Sequence, residues 1–182
     1  KRNFQMMHKI TYFLLTIMFL MITEGHDSNK VSLSKLYKNP EAYNHKLIRI
    51  SGVISHGFEQ FTLTDPNCSG RCGVWLEYGE IVSSETIYCC GGLANRESKQ
   101  QVVVEGISVP LMEDETFRKF DELIQLQQES DATMTVKATI IGRFFAGKRI
   151  ENPETNIVYW GGYGHFGGAS LLVIQQVVSI DE

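Results

Sequence analysis

The sequence predicts an all-β domain with one long helix. From residue 46 onward, short segments alternate apolar and polar residues, which is the period of strands buried on one face. One segment, residues 114–128, changes instead to a helical period. The predicted order is therefore three strands, the helix and two further strands. The face of the helix expected to be buried carries Phe117, Phe120, Ile124 and Gln127.

The first three strands lie close together in the sequence. Residues 46–55 (KLIRISGVIS) alternate and then break at Gly52, which indicates a strand bent at a glycine. The short connection after this strand predicts a hairpin to the second strand, residues 58–64, which ends at the turn signal DPN. Residues 73–78 (GVWLEY) form the predicted third strand.

The remaining segments are assigned by the same patterns. Asp114 is the expected cap of the long helix, because its side chain can accept a backbone N–H of the first turn. Residues 132–145 and 171–180 form the fourth and fifth strands. Two shorter segments are also expected to be ordered: an extended run at residues 101–108, and a helical region at residues 31–43 that Ser32 or Ser34 can cap and Pro40 limits.

This order is the one that an OB-fold requires, namely a five-stranded Greek-key β-barrel with a helix between strands 3 and 4. The alternative is a looser β-sandwich or roll. A simple immunoglobulin-like sandwich would not place its only long helix between the third and fourth strands.

The N-terminal segment is typical of a secretory signal peptide. A basic flank (Lys1, Arg2, His8, Lys9) precedes an apolar run at residues 10–22, and small residues follow at 23 and 25. We therefore expect residues 1–25 to be a signal peptide and residues 26–182 to be a single OB-fold-like domain. An uncleaved anchor is the alternative, but a spanning helix needs about 20 apolar residues. The predicted location is periplasmic or secreted, without a stable membrane anchor after cleavage.

Charge and motif content exclude several functions. Removal of residues 1–25 takes away three basic residues and one acid, so the net charge falls from -4 to about -6. An acidic surface repels phosphate backbones, so nucleic acid is not expected as a partner. No nucleotide cofactor is expected either, because the glycines near residue 162 precede no Lys-Ser/Thr and no helix.

Four cysteines predict disulfide bonds in an exported protein. They are Cys68, Cys72, Cys89 and Cys90. A bond between the adjacent Cys89 and Cys90 would be strained, so we expect each of them to pair with Cys68 or Cys72. If the chain turns back through residues 79–84, Cys90 lies opposite Cys72, which favours Cys72 with Cys90 and Cys68 with Cys89. The alternative is a zinc or copper site that adds His56 or His165 to the thiolates, although the two-residue spacing of zinc knuckles is missing.

The glycine-rich segment at residues 159–168 (YWGGYGHFGG) is the best candidate for a binding loop. It lies between the fourth and fifth predicted strands, where an OB barrel grips its ligand together with the first hairpin. Aromatic rings there can stack on sugars or peptide side chains, and glycines allow close approach. Alternatively, the rings only close the end of the barrel. The predicted ligand-binding residues are His56, Phe58, Trp75, Trp160, Tyr163 and His165.

The predicted function is an exported binding or interaction module for a glycan, a peptide or a partner protein. Two alternatives belong to other classes. One is a small hydrolase that uses His165 with Asp65, although neither His56 nor His165 has a placed nucleophile. The other is a metal-binding protein that uses the four cysteines.

Several segments together resemble a group of uncharacterised exported bacterial proteins. The resemblance spans most of the mature chain and implies an OB-like barrel in a bacterial, periplasmic or secreted setting; it implies no activity. In that group a pair of cysteines often follows the glycine-rich loop, whereas this chain has Gly168 and Ala169. The segments are KNPEAYNHKLIRISGVIS, FTLTDPNC, GVWLEYG, the pair Cys89-Cys90, GRFFAG, and GGYGHFG followed by LLVIQQV.

Overall fold

The computed structural model describes residues 29–57, 60–68, 72–79, 102–129, 135–153 and 156–181. The protein is mostly β with one main helix, as predicted. The helices are α1, Leu33–Lys38, and α2, Glu115–Glu129. The strands are β1, Asn29–Lys30; β2, Leu47–Gly57; β3, Gln60–Thr64; β4, Gly73–Tyr78; β5, Val103–Val104; β6, Ile107–Ser108; β7, Val136–Phe145; β8, Lys148–Asn152; β9, Ile157–Gly161; and β10, Leu171–Asp181.

Both helices begin at capping side chains that the sequence predicts. The Ser32 hydroxyl accepts the backbone N–H of Lys35 at 3.3 Å, and the Asp114 carboxylate accepts that of Phe117 at 2.9 Å. A 3-10 turn, Pro40–Tyr43, follows α1. Neither helix in the described ranges has the length and apolar character needed to cross a bilayer. The predicted signal peptide, residues 1–25, lies outside the described residues.

Five long strands form one mixed sheet. β2, β3 and β4 are antiparallel neighbours, β4 pairs with β10 in parallel, and β10 pairs with β7 in antiparallel. β7 also pairs with β2, which links the last strand of this order to the first. The short β1 adds to β2 in parallel. The predicted hairpin between the first two strands and the helix between the third and fourth are confirmed.

Gly52 allows β2 and β3 to approach closely. A Cβ atom at this position would lie 2.7 Å from the carbonyl oxygen of Thr64. β2 begins to pair with β3 at the next residue, Val53, while it still pairs with β7. Gly52, where the sequence predicts a bend, therefore lies just before the residue at which β3 joins β7 as a neighbour of β2.

The main core lies between one face of the sheet and α2. Phe117, Phe120, Ile124 and Gln127 are all buried, which confirms the predicted helical face. The ring of Tyr78, at the end of β4, meets the rings of Phe117 and Phe120 edge-on. Burial of each large apolar side chain contributes about 1.5–3 kcal/mol to folding.

A second apolar cluster, which we call the outer cluster, covers the other face of β4, β7 and β10. The small β5–β6 hairpin supplies part of this cover. β10 is consequently buried on both faces from Leu171 to Ile174, which explains why its sequence there is continuously apolar. The outer cluster consists of Trp75, Val102, Val104, Val109, Phe145, Tyr163, Leu171 and Val173.

The described cysteines form one local disulfide. Cys68 is bonded to Cys72 across the turn between β3 and β4, with Cα atoms 5.9 Å apart. The expected bonds from Cys68 to Cys89 and from Cys72 to Cys90 are therefore wrong. The physical reason is proximity, because the tight turn already brings the two nearest cysteines together. Cys89 and Cys90 lie outside the described residues.

The β8–β9 hairpin is a feature that the sequence did not predict. Its two strands pair only with each other among the described strands. Charged side chains on β8 and exposed apolar side chains on β9 conceal the alternation that marks a half-buried strand. Its second strand, β9, contains the first three residues of the glycine-rich segment, and the rest of that segment follows as a loop.

Candidate functional site

The glycine-rich segment forms a hydrogen-bonded loop between β9 and β10. Tyr163 and Ala169 exchange two backbone hydrogen bonds of 3.1 Å. Gly164 packs on the indole ring of Trp75, where an added Cβ atom would lie 2.4 Å from ring carbons. The loop is therefore held by its own backbone and by direct contact with the sheet.

Trp75 and Tyr163, both predicted to bind ligand, lie in the outer cluster. Each side chain is only 4% exposed. The indole Nε1 of Trp75 is buried without a hydrogen-bond partner among the described residues. Their burial leaves little surface for a ligand, and both residues instead attach the loop to the sheet.

The Tyr163 hydroxyl belongs to a polar cluster that the sequence did not predict. It donates a hydrogen bond of 2.5 Å to Oε1 of Glu105, and Nε2 of His45 lies 2.5 Å from Oε2. Glu105 and His45 have φ angles of 50° and 61°, which are uncommon for residues other than glycine. This Glu105 cluster (His45, Glu105 and Tyr163) connects the turn before β2, the β5–β6 turn and the glycine-rich loop.

The charge of Glu105 is stabilised by its neighbours. Burial raises the pKa of the carboxyl group, but hydrogen bonds from Tyr163 and His45 and the positive charges of His45 and Lys148 together lower it more. The pKa of Glu105 is therefore below its usual value of 4.5. The carboxylate is ionised at neutral pH and acts as a fixed acceptor between the three segments.

His56 lies away from the glycine-rich loop. Its ring packs edge-on against Phe61 of the main core, with centroids 5.0 Å apart, and its backbone N–H donates to Gln127 of α2 at 2.9 Å. The loop contacts the opposite face of the sheet, through Trp75. The structure therefore does not bring His56 together with Tyr163 or His165. Phe58 lies outside the described residues.

His165 and Phe166 occupy the tip of the loop. Phe166 is 89% exposed and has a φ of 53°, while the half-buried His165 ring lies 4.0 Å from the Phe166 ring between centroids. Asp65, the acid considered as a hydrolase partner of His165, accepts the backbone N–H of Asn67 at 2.9 Å. This contact is a local turn bond, which explains Asp65 without a catalytic role.

A cavity of about 230 Å³ lies at the end of the sheet where β4 begins and β7 ends. Of the predicted ligand-binding residues that the structure describes, only Trp160 contributes to its walls. The other walls come from α1 and the turn after it, from β9, and from the end of the glycine-rich loop. The described lining residues are Leu33, Leu36, Tyr37, Pro40, Gly73, Val74, Phe144, Val158, Tyr159, Trp160, Gly168, Ala169 and Ser170.

The described walls of this cavity carry no charged side chain, and they present polar and apolar surface in about equal measure. Leu33, Leu36 and Phe144 are fully buried, whereas Tyr37 and Val158 are 58% and 45% exposed. The Ser170 hydroxyl already donates a hydrogen bond of 2.9 Å to the carbonyl oxygen of Ala146. The cavity therefore offers an occupant aliphatic and aromatic side chains beside polar surface.

Sequence reasoning missed α1 as a wall of the site. It predicted the helical region but gave it no function. The spacing of Leu33 and Leu36 shows which side of α1 faces inward, but a three-residue spacing alone does not distinguish a core contact from a cavity wall.

The alternative of a cysteine metal site does not fit Cys68 and Cys72. A disulfide removes both thiolates that such a site would need. Within the described ranges, no three His, Cys, Asp or Glu side chains are grouped to hold an ion.

Comparisons of this chain with models of known families, with curated proteins and with solved structures found no match.

Proposed function

We propose that this protein is an exported binding module built on an OB-like barrel, and that it binds a peptide or partner protein through one apolar side chain. The observation that carries this proposal is the cavity beside Trp160, whose described lining residues are mainly aliphatic and aromatic. The proposed ligand surface is therefore the space between α1 and β9 and not the predicted face around His56 and Tyr163.

The pairing of the strands supports an OB-like barrel. Each of the five long strands has two neighbours among the others, and β4 and β10 are the parallel pair. The row of paired residues is also staggered. It leaves β2 at Ser55 and, when the β2–β7 register is continued, returns opposite His45, just before the start of β2. Closed barrels require such a stagger. The intermediate residues of the row are Thr62, Trp75, Leu171 and Phe145.

The size and chemistry of the cavity favour an apolar side chain over a sugar. A dry apolar cavity of about 150 Å³ is enough for a benzene molecule, so 230 Å³ admits a phenyl ring. A sugar would bring several hydroxyl groups that need partners, and each unpaired one would cost about 1–3 kcal/mol. The lining carries no charged side chain, and its Ser170 hydroxyl is already engaged.

Two observations support export. The sequence predicts a signal peptide over residues 1–25. The Cys68–Cys72 disulfide is compatible with an oxidising compartment such as the periplasm or the cell exterior.

The binding proposal is tested with N-acetyl-phenylalanine amide as a probe. Burial of one ring is worth about 1.5–3 kcal/mol, so we expect a dissociation constant of roughly 10 mM or weaker, which NMR titration can detect. The indole N–H signal of Trp160 should shift with saturation. The indole signal of Trp75, on the other face of the sheet, serves as the internal control.

Matched variants locate the binding. Val158→Trp places a large ring at the cavity mouth and should abolish the shift, whereas Ile157→Trp on the neighbouring exposed position should not. Saturable binding of triacetylchitotriose at Trp160, without binding of the phenylalanine probe, would replace the peptide proposal with a glycan proposal. No response of Trp160 to either probe would refute the site.

A further inference from the structure

Phe166 is an exposed aromatic side chain held in a fixed position. Its φ of 53° is a left-handed backbone conformation, which is strained in a residue other than glycine. Hydrogen bonds from Gly167 N–H to Gly164 O (2.9 Å) and from Gly168 N–H to His165 O (3.2 Å) hold the backbone around it. The side chain is nevertheless 89% exposed. A strained residue that presents a phenyl ring to solvent is expected to bury that ring in a partner.

The cavity begins two residues further along the same loop. Gly168, Ala169 and Ser170 line it, while the Phe166 ring remains outside. The cavity has room for one phenyl ring, and its described lining includes aliphatic and aromatic side chains that such a ring can contact. The molecule therefore carries an exposed ring and a space of matching size side by side.

We propose that two copies of this chain associate about a twofold axis, with Phe166 of each copy in the cavity of the other. This inference rests on the proposed function, because it assigns the partner of the same cavity. In a twofold arrangement each copy contributes one ring and one cavity, so that the two contacts are equivalent and the assembly closes as a dimer.

The exposed apolar area indicates a transient dimer. Two aromatic side chains bury roughly 300–500 Å², and Tyr37 and Val158, which line the cavity, add exposed apolar surface. Such an interface falls below the roughly 1,200 Å² of stable complexes. We therefore expect a dissociation constant of roughly 10–100 μM.

Sedimentation velocity over roughly 5–500 μM protein, purified as the host cell processes it, tests the proposal. The weight-average sedimentation coefficient of the wild type should rise with concentration toward that of a dimer. Phe166→Gly removes the ring but suits the positive φ, so it should fold and remain monomeric. Val158→Trp should also remain monomeric, whereas Ile157→Trp and Met112→Ala should associate like the wild type.

A mixing experiment identifies the reciprocal contact. Phe166→Gly retains a free cavity, and Val158→Trp retains a free ring, so each is monomeric alone but the mixture should form a heterodimer. Because the mixture has one of the two contacts, its dissociation constant should be at least tenfold weaker than that of the wild type. A wild-type protein that stays monomeric, or a dimer that Phe166→Gly leaves intact, would overturn the inference.

The outcomes also separate this inference from the proposed function. Phe166→Gly should still bind the phenylalanine probe at Trp160. If Phe166→Gly binds the probe while the wild type stays monomeric, the cavity binds a ligand other than this chain, and only the inference of self-association is wrong. If Phe166→Gly does not respond to the probe, the proposed function is refuted whatever the oligomeric state.

Discussion

Two residues of the glycine-rich loop share a backbone conformation but differ in the space around them. Gly164 and Phe166 both have positive φ angles, 67° and 53°. At Gly164 the absence of a side chain is essential, because the Trp75 ring fills the space that a Cβ atom would take. Phe166 has a side chain in the same backbone region with no such contact, which points to a role outside its own molecule.

Gly164→Ala should destabilise the fold strongly. The new Cβ atom would lie 2.4 Å from ring carbons of the buried Trp75, so either the loop or the ring must move. We expect a loss of about 2–4 kcal/mol in the free energy of unfolding, measured by urea denaturation. Gly57→Ala is the matched control, because nothing lies within 4 Å of a Cβ atom there. Equal stability of the two variants would contradict the packing of the loop on Trp75.

The sequence indicated the unusual loop but not the separate environments of its side chains. Trp160, Tyr163 and His165 look alike as candidates in a linear pattern. The structure places Trp160 in the cavity wall, Tyr163 in the outer cluster and His165 at the loop tip. Which side chain is buried depends on the β5–β6 hairpin, a partner distant in sequence, so no local signal could separate them.

At the level of the elements, the Glu105 cluster joins three connections that carry few other contacts in common. The β5–β6 turn supplies Glu105, the turn before β2 supplies His45, and the glycine-rich loop supplies Tyr163. Lys148, on β8, adds a favourable charge. An ionised Glu105 therefore stabilises the arrangement of all three segments.

Acidification should weaken this arrangement. The pKa of Glu105 is lowered in the folded protein, so its contribution to stability is fully present above the unfolded value of about 4.5 and is lost as the pH falls through the folded value. Glu105→Gln lacks the charge at every pH. The stability difference between wild type and Glu105→Gln, from urea denaturation, should be largest at pH 7 and shrink toward pH 3.

A second variant tests the assigned cause of the shift. Tyr163→Phe keeps the ring in the outer cluster but removes one donor to Glu105. It should therefore reduce the same pH-dependent difference. A difference between wild type and Glu105→Gln that is constant from pH 7 to pH 3 would rule out the charge as the source of stability.

Elements with a clear apolar period were predictable, and those without one were not. β4 matches its predicted residues 73–78, and α2 begins one residue after its predicted cap Asp114. The β8–β9 hairpin was missed because its exposed side chains follow no apolar period. The sequence did not indicate the cavity for a related reason. The cavity lies between α1 and β9, and the sequence of neither element shows that the other will lie beside it.

At the scale of the whole molecule, the strand pairings divide the chain into parts of unequal stability. β7 pairs with β2 on one side and β10 on the other, and the main core and outer cluster pack against this region. The β8–β9 hairpin has pairing partners only within itself among the described strands. Opening the hairpin breaks few contacts, whereas opening the seam between β2 and β7 disrupts the core.

Hydrogen exchange followed by mass spectrometry should reveal this difference directly. Backbone amides in β2, β7 and β10 should exchange only through global unfolding, with an opening free energy in the range of about 5–15 kcal/mol typical of domains. Amides in β8 and β9 should exchange earlier, with an opening free energy several kcal/mol lower, because local separation of the hairpin leaves the core intact. The seam provides the decisive comparison, since Ser51 and Thr139 also join across it by a side-chain hydrogen bond of 2.8 Å. If peptides of β2 and β7 exchanged as early as those of β8 and β9, the seam would be open in solution, and the OB-like barrel that supports the binding proposal would be wrong.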